Sequence, residues 1–239
     1  MSGSALAVTG VWTAFGGNQV HRGLSVTLPA GEITGLIGPN GCGKSTLFDV
    51  ITGVVRPQRG RVSLGERDLT GMAPWRRYRA GLGRSFQGLE LFEGLSVADN
   101  LRVALGAGGR RRRADLDAIL HRARLDRYAD ARPPQLAFGQ RKALSLARLY
   151  CRSARAVLLD EPAAGLTADE IGPVLTIAKD LAEGGAVVCL VEHNMQVMAA
   201  YAGTVHLMAG GTIASTGTVA ELMADPRLVE LFFGAGAGA

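Results

Sequence analysis

The stretch Gly38-Pro39-Asn40-Gly41-Cys42-Gly43-Lys44-Ser45-Thr46 constrains this chain more than any other part of it. It fits the phosphate-binding pattern G-x-x-x-x-G-K-[ST], with Gly38, Gly43, Lys44 and Ser45 at the required places. Its flanks agree. Glu32 to Ile37 reads as a short apolar strand, and Leu47, Val50, Ile51 and Val54 recur at helical spacing, so a helix is expected from near Gly43. A glycine-rich loop between strand and helix lets backbone N–H groups converge on phosphate oxygens, and the helix N-terminus adds a partial positive charge. In such a loop Lys44 reaches the β- and γ-phosphates and the Ser45 hydroxyl ligates Mg²⁺. An ordinary glycine-rich bend needs neither the lysine nor the hydroxyl. The stretch therefore implies an α/β fold that binds a nucleoside triphosphate.

Composition bounds the rest. With 239 residues and 47 % hydrophobic content, one large domain with a substantial core is expected. Apolar runs such as 156–159 and 186–191 are too short to cross a bilayer, and the N-terminus lacks a basic-then-apolar leader. The expectation is a soluble, intracellular protein. Cys42, Cys151 and Cys189 form no pair with metal-ligand spacing, and an odd count argues against a disulfide framework. The formal charge of +5 suits a polyphosphate, an anionic membrane surface or nucleic acid. Aromatic residues make up only 5 % and none interleave with a basic stripe, which argues against a stacking platform for single strands.

Along the chain, residues 6–28 read as two strands joined at Gly16-Gly17-Asn18. Phe15 stands at that turn, either as an aromatic face for a purine base or as a core or turn residue. Pro57-Gln58-Arg59-Gly60 reads as a turn and Arg61 to Leu64 as a strand, and Pro74 opens a helix through Ala80. Leu82 to Phe86 is another short strand, ending in Gln87. From Val97 to Tyr128 the pattern is helical, broken at Gly106–Gly109, and Arg110-Arg111-Arg112-Arg113 reads as a solvated loop. This part is expected to be a helical subdomain inserted into the sheet. After Leu136-Ala137-Phe138-Gly139-Gln140 comes a helix with Ala143, Leu144, Ala147 and Cys151 on one face and Arg141, Lys142 and Arg148 off it. Ala156 to Leu159 is a continuous apolar strand of the kind buried on both faces, and it delivers Asp160-Glu161 to its carboxyl end. Asp160 suits a Mg²⁺ shell and Glu161 a general base for water. A helix over Asp169 to Glu183 follows, and then the strand Ala186 to Val191 brings Glu192-His193 to the same edge. Two short strands around Gly210-Gly211, a helix from Thr218 to Ala224, a last helix near Leu228 to Phe233 and a flexible tail over 234–239 complete the reading.

The order phosphate loop, Gln87, Leu136–Gln140, Asp160-Glu161, His193 resembles the ATP-binding cassette (ABC) ATPases over essentially the whole chain. Finer stretches resemble the branched-chain amino acid uptake subfamily: Gly35 to Gly41, Gly83-Arg84-Ser85-Phe86-Gln87, Asp160 to Leu166, Val191 to Met195, and Asp225 to Glu230. The resemblance implies a P-loop NTPase (RecA-like) core over about 1–87 and 153–224. It adds an antiparallel β-subdomain, a helical subdomain over about 88–152 and a C-terminal helix over about 225–233. It implies ATP and Mg²⁺ as cofactors. Phe15 would stack on adenine, Gln87 would contact Mg²⁺ or the attacking water and sense a membrane partner, and His193 would hold the γ-phosphate. Leu136–Gln140 would complete, in trans, the ATP site of the opposite subunit of a homodimer or heterodimer. The implied partners are two transmembrane permease subunits, a second ABC ATPase subunit and an extracytoplasmic substrate-binding protein, without nucleic acid. The implied location is the cytoplasmic face of the membrane. Two positions depart from the family pattern. Ala137 stands where serine is usual, removing a hydroxyl donor to the trans γ-phosphate, and Thr167 stands where an acidic or amide residue is usual. The rival readings are a nucleic-acid- or ribosome-associated ABC ATPase and a nucleotide-binding regulatory subunit with little turnover. The first usually carries two cassettes or a long coiled-coil insertion, and neither fits in 239 residues.

Overall fold

Strand pairing divides the chain into two sheets. In the computed structural model, which describes residues 5–85, 90–106 and 111–233, β1 (Leu6–Phe15) and β2 (Asn18–Leu28) meet across Gly16-Gly17. With β4 (Arg59–Leu64) and β5 (Arg67–Asp68) they form an antiparallel sheet ordered β2-β1-β4-β5. The second sheet contains β3 (Ile33–Ile37), β6 (Leu82–Arg84), β7 (Ala156–Asp160), β8 (Val187–Val191), β9 (Thr204–Ala209) and β10 (Thr212–Gly217). Its order is β10-β9-β3-β8-β7-β6, parallel throughout except for β10.

The register fixes the functional edge. Asp160 lies beside Val191 across β7 and β8, and Val191 lies beside Leu36 across β8 and β3. The loop that begins at Gly38, the pair Asp160-Glu161 and the pair Glu192-His193 therefore leave the sheet at one carboxyl edge, where open α/β sheets bind ligands.

Period-two alternation assigns the strands' two faces. Ile33, Ile37, Val157, Leu159, Val188 and Leu190 pack into one apolar cluster, and Leu36, Ala156, Leu158, Val187, Cys189 and Val191 into the other. Both faces are covered, which is why these strands read as unbroken apolar runs. The second cluster also takes Leu47, Phe48, Val50 and Ile51 of α1 (Lys44–Thr52) and the inward residues of the antiparallel sheet, so α1 is wedged between the sheets. α2 (Pro74–Arg79) closes the far end of that helix. Its Arg77 is 1 % exposed and donates to the carbonyls of Val50 (2.7 Å), Ile51 (2.7 Å), Thr70 (2.9 Å) and Met72 (3.0 Å), satisfying acceptors that a helix C-terminus leaves open.

Between β6 and β7 run α3 (Val97–Leu105), α4 (Arg111–Arg122) and α5 (Phe138–Cys151), the inserted helical part expected from the sequence. α6 (Ala168–Glu183), α7 (Met195–Tyr201), α8 (Val219–Ala224) and α9 (Pro226–Phe233) follow. Four local readings change. β6 ends at Arg84 rather than running to Phe86, which lies outside the described residues. β4 starts at Arg59 rather than Arg61, because Arg59 pairs with Trp12 across a register shift in β1. The backbone of Arg111 to Arg113 belongs to α4 rather than to a loop, and Arg110 lies outside the described residues. α7 was not foreseen. Asn194 caps it by accepting from the N–H groups of Gln196 and Val197.

Candidate active site

Close backbone approach shapes the phosphate loop. A Cβ at Gly38 would lie 2.2 Å from the carbonyl oxygen of Met208, so only glycine fits there. Gly43 caps α1 in the left-handed region, at φ 110°. The Lys44 ammonium donates to the carbonyls of Gly38 (2.7 Å) and Pro39 (3.1 Å), which keep it folded over the loop. From β2, the buried His21 donates through Nε2 to the Gly43 carbonyl (3.1 Å), and its Nδ1 faces the Thr13 hydroxyl at 3.2 Å. A carbonyl can only accept, so the neutral ring carries its proton on Nε2. Burial pushes the His21 pKa down, which favours that neutral form.

A cavity of about 210 Å³ opens above the loop. Asn40, Gly41, Gly43, Lys44, Ser45, Thr46, Asp160, Glu161 and His193 line it, so residues far apart in sequence converge on one space. Asp160 is 7 % exposed, and its Oδ2 accepts from the Arg84 guanidinium at 3.2 Å. The same guanidinium reaches Asp49 on α1 at 2.5 Å. Ser85 accepts from the Asp160 N–H at 3.1 Å. Glu161 has a left-handed backbone at φ 48°, unusual for a side-chain-bearing residue, and its carboxylate meets His193 Nε2 at 3.1 Å.

Among the described residues no group of three or more His, Cys, Asp and Glu side chains could cage a metal ion. Mg²⁺ does not need one, since it keeps several waters and takes one or two carboxylates beside substrate phosphates. The Ser45 hydroxyl and the Asp160 carboxylate on one cavity fit that requirement.

Other expected residues lie apart from the cavity. Phe15 ends β1 half exposed and does not line it. Leu136, Ala137, Phe138, Gly139 and Gln140 form the N-terminal entry of α5 and do not line it either. Ala137 is the N-cap there and offers no side-chain acceptor, while Gln140 Oε1 accepts from the Ala137 N–H at 2.9 Å. Gly139 packs so tightly that a Cβ would sit 2.7 Å from Glu170 Oε1. Gln87 lies outside the described residues.

The sequence model of the family described as ABC transporter matches residues 21–164, from within β2 to just past Glu161. The chain belongs to the ABC transporter ATP-binding family. As a member it is an ATP-binding ATPase. It is 33 % identical to a probable ABC transporter ATP-binding protein of Azorhizobium caulinodans, over 96 % of this chain and 83 % of that one. It is 32 % identical to LivG of Salmonella typhimurium, a high-affinity branched-chain amino acid transport ATP-binding protein, over 98 % and 99 %. It is 31 % identical to the lipopolysaccharide export system ATP-binding protein LptB of Acidithiobacillus ferridurans, over 90 % of each. Among solved structures, an ATP-binding cassette of an ABC transporter in its ADP conformation superposes with a TM-score of 0.86 at 25 % identity, over 97 % of this chain and 99 % of that one.

Sequence reasoning missed four side chains of this ABC ATPase: His21, Arg84, Lys142 and Glu192. Lys142, placed off the apolar face of its helix, is 9 % exposed. A signal existed, because Gly139, Lys142, Leu146 and Leu149 are all buried at three- and four-residue steps along α5. For His21 and Glu192 the sequence held only a polar residue beside an apolar run.

Proposed function

We propose that this chain is the ATP-hydrolysing subunit of an ABC importer whose cargo class is branched-chain amino acids. One observation carries the catalytic part: the phosphate loop, Asp160, Glu161 and His193 line a single cavity. The near-complete mutual coverage with LivG supports the cargo, and the shorter match to LptB makes an exporter the second choice. In this reading the loop N–H groups and Lys44 bind the β- and γ-phosphates, and Phe15 stacks on the base. Ser45 and Asp160 hold Mg²⁺ together with Gln87. Held by these residues, Mg²⁺ would supply positive charge opposite the phosphate oxygens. Glu161 takes the proton of the attacking water, and His193, already hydrogen-bonded to that carboxylate, orients it toward the γ-phosphate. Leu136–Gln140 complete the partner subunit's ATP site.

No helix among the described residues is long and apolar enough to cross a membrane, and in this reading separate permease subunits supply the transport path. A cleft of about 630 Å³ beside Arg84 and Glu90 suits their docking, since Trp75, Tyr78 and Phe92 line it and are exposed. The chain then sits on the cytoplasmic face of the membrane, and a substrate-binding protein delivers cargo on the other side.

Glu161→Gln tests the catalytic reading. Phosphate release should fall by about 10²–10⁴-fold while calorimetry still reports tight MgATP binding. A near-wild-type rate would reject Glu161 as the base. Uptake of labelled leucine, against urea and short amides, by membranes carrying the chain with its cognate permeases tests the cargo.

A further inference from the structure

The turn that follows β7 is restrained more heavily than a surface turn requires. Lys142 reaches it from α5 and spends all three of its N–H donors on backbone carbonyls: Glu161 at 3.3 Å, Pro162 at 3.0 Å and Ala164 at 2.5 Å. The one intervening N–H, that of Ala163, donates to Glu192 Oε1 at 2.6 Å from the other side. Glu192 is 4 % exposed, at the end of β8 and next to His193. Burial penalises both charges. It pushes the Lys142 pKa down against the pull of Glu192 and Glu161, and it pushes the Glu192 pKa up against the bonds from Ala163 and His193. Neither group lines the phosphate cavity. Two desolvated ions of opposite sign are thus devoted to one short turn, and that turn begins with a residue at φ 48°. Such a conformation persists only where its surroundings over-determine it.

We infer that Lys142 and Glu192 are positioning residues for hydrolysis: they clamp the Glu161–Ala164 turn by its carbonyls and its N–H, and so hold Glu161 in the left-handed conformation that points its carboxylate at His193. The inference rests on the reading of Glu161 as general base. It adds a mechanical link, because the helix that supplies Lys142 opens with the Leu136–Gln140 loop. A shift of that helix is transmitted to the base through an ammonium on its own carbonyl.

The test is steady-state phosphate release and MgATP calorimetry on the full chain, in four variants: Lys142→Met, Lys142→Arg, Glu161→Gln, and the double variant Lys142→Met/Glu161→Gln. Displacing a reacting group by about 1 Å can cost on the order of 10²-fold, so Lys142→Met should lower kcat by about 10–100-fold. KM for ATP should stay within about 2-fold, the mark of an interaction made in the reaction rather than in binding. Lys142→Arg, which restores a cation and several donors, should recover much of the loss. In the Glu161→Gln background Lys142→Met should cost nothing more, since both changes disable one unit. An unchanged kcat in Lys142→Met overturns the inference, and so does a penalty that adds to that of Glu161→Gln. Where Lys142→Met fails to fold, Glu192→Leu is judged by the same criteria. Failure of the underlying reading is distinct, because Glu161→Gln would then itself turn over at nearly the wild-type rate.

Discussion

The phosphate loop leaves β3 and the Glu161 turn leaves β7 at one sheet edge, but different forces shape them. The loop is shaped largely by its own residues: glycines that allow close approach and positive φ, and a lysine that folds back onto the loop's own carbonyls. The turn is shaped by side chains from two other elements, Lys142 of α5 and Glu192 at the end of β8. On the proposed reading, the loop that receives the polyanion is shaped mainly within itself, with His21 of β2 and Met208 packed against it. On the same reading, the turn that carries the general base is held by side chains of two other elements.

That contrast can be broken at several points. Lys44→Ala should have the largest effect, removing turnover and weakening MgATP binding by on the order of 10²-fold, about the worth of a strong charge-assisted hydrogen bond. Calorimetry showing unaltered affinity would mean that the loop N–H groups suffice and that the lysine is not part of the binding device. Arg77→Met probes the loop's independence from its support. Removing the cap of α1 should lower stability by about 3 kcal/mol, seen as a drop of about 6–12 °C in melting temperature, with MgATP affinity at a temperature well below the melt little changed. An affinity loss matching the stability loss would show that the loop depends on distant side chains as the Glu161 turn does. Ala137→Ser should have the smallest effect. A hydroxyl at the N-cap of α5 supplies a donor for a γ-phosphate held by the partner subunit, and should raise the rate of the isolated protein by up to about 10-fold, or about 1.4 kcal/mol of barrier. Phosphate release at saturating MgATP, with dimerisation checked in parallel, decides it. An unchanged rate would mean that backbone donors at Gly139 already suffice.

Much of this molecule is legible in its sequence. The phosphate loop and its helix, the buried strands β7 and β8 with Asp160-Glu161 and His193 at their ends, and the antiparallel strands at the start were all read from patterns within a few residues. Those features are local: a glycine where φ is positive, an apolar run where both faces are covered, a capped helix start. The run Arg111 to Arg113 departs from its local pattern: charge repulsion argues for a loop, while the helix continuing to Arg122 extends through it.

What the sequence by itself determined was therefore the class of ligand and the strand ends that would meet it. What only the tertiary structure decided was which polar side chains turn inward to hold those ends in place. By pattern alone Lys142 falls off the apolar face of its helix, Arg84 and His21 fall within strands, and Glu192 falls beside His193 at a strand end. Each is fixed by carbonyls, N–H groups or carboxylates brought to it from another element. A buried charge is tolerable only when such partners surround it, and their arrangement is a property of the packed fold that no short window of sequence contains.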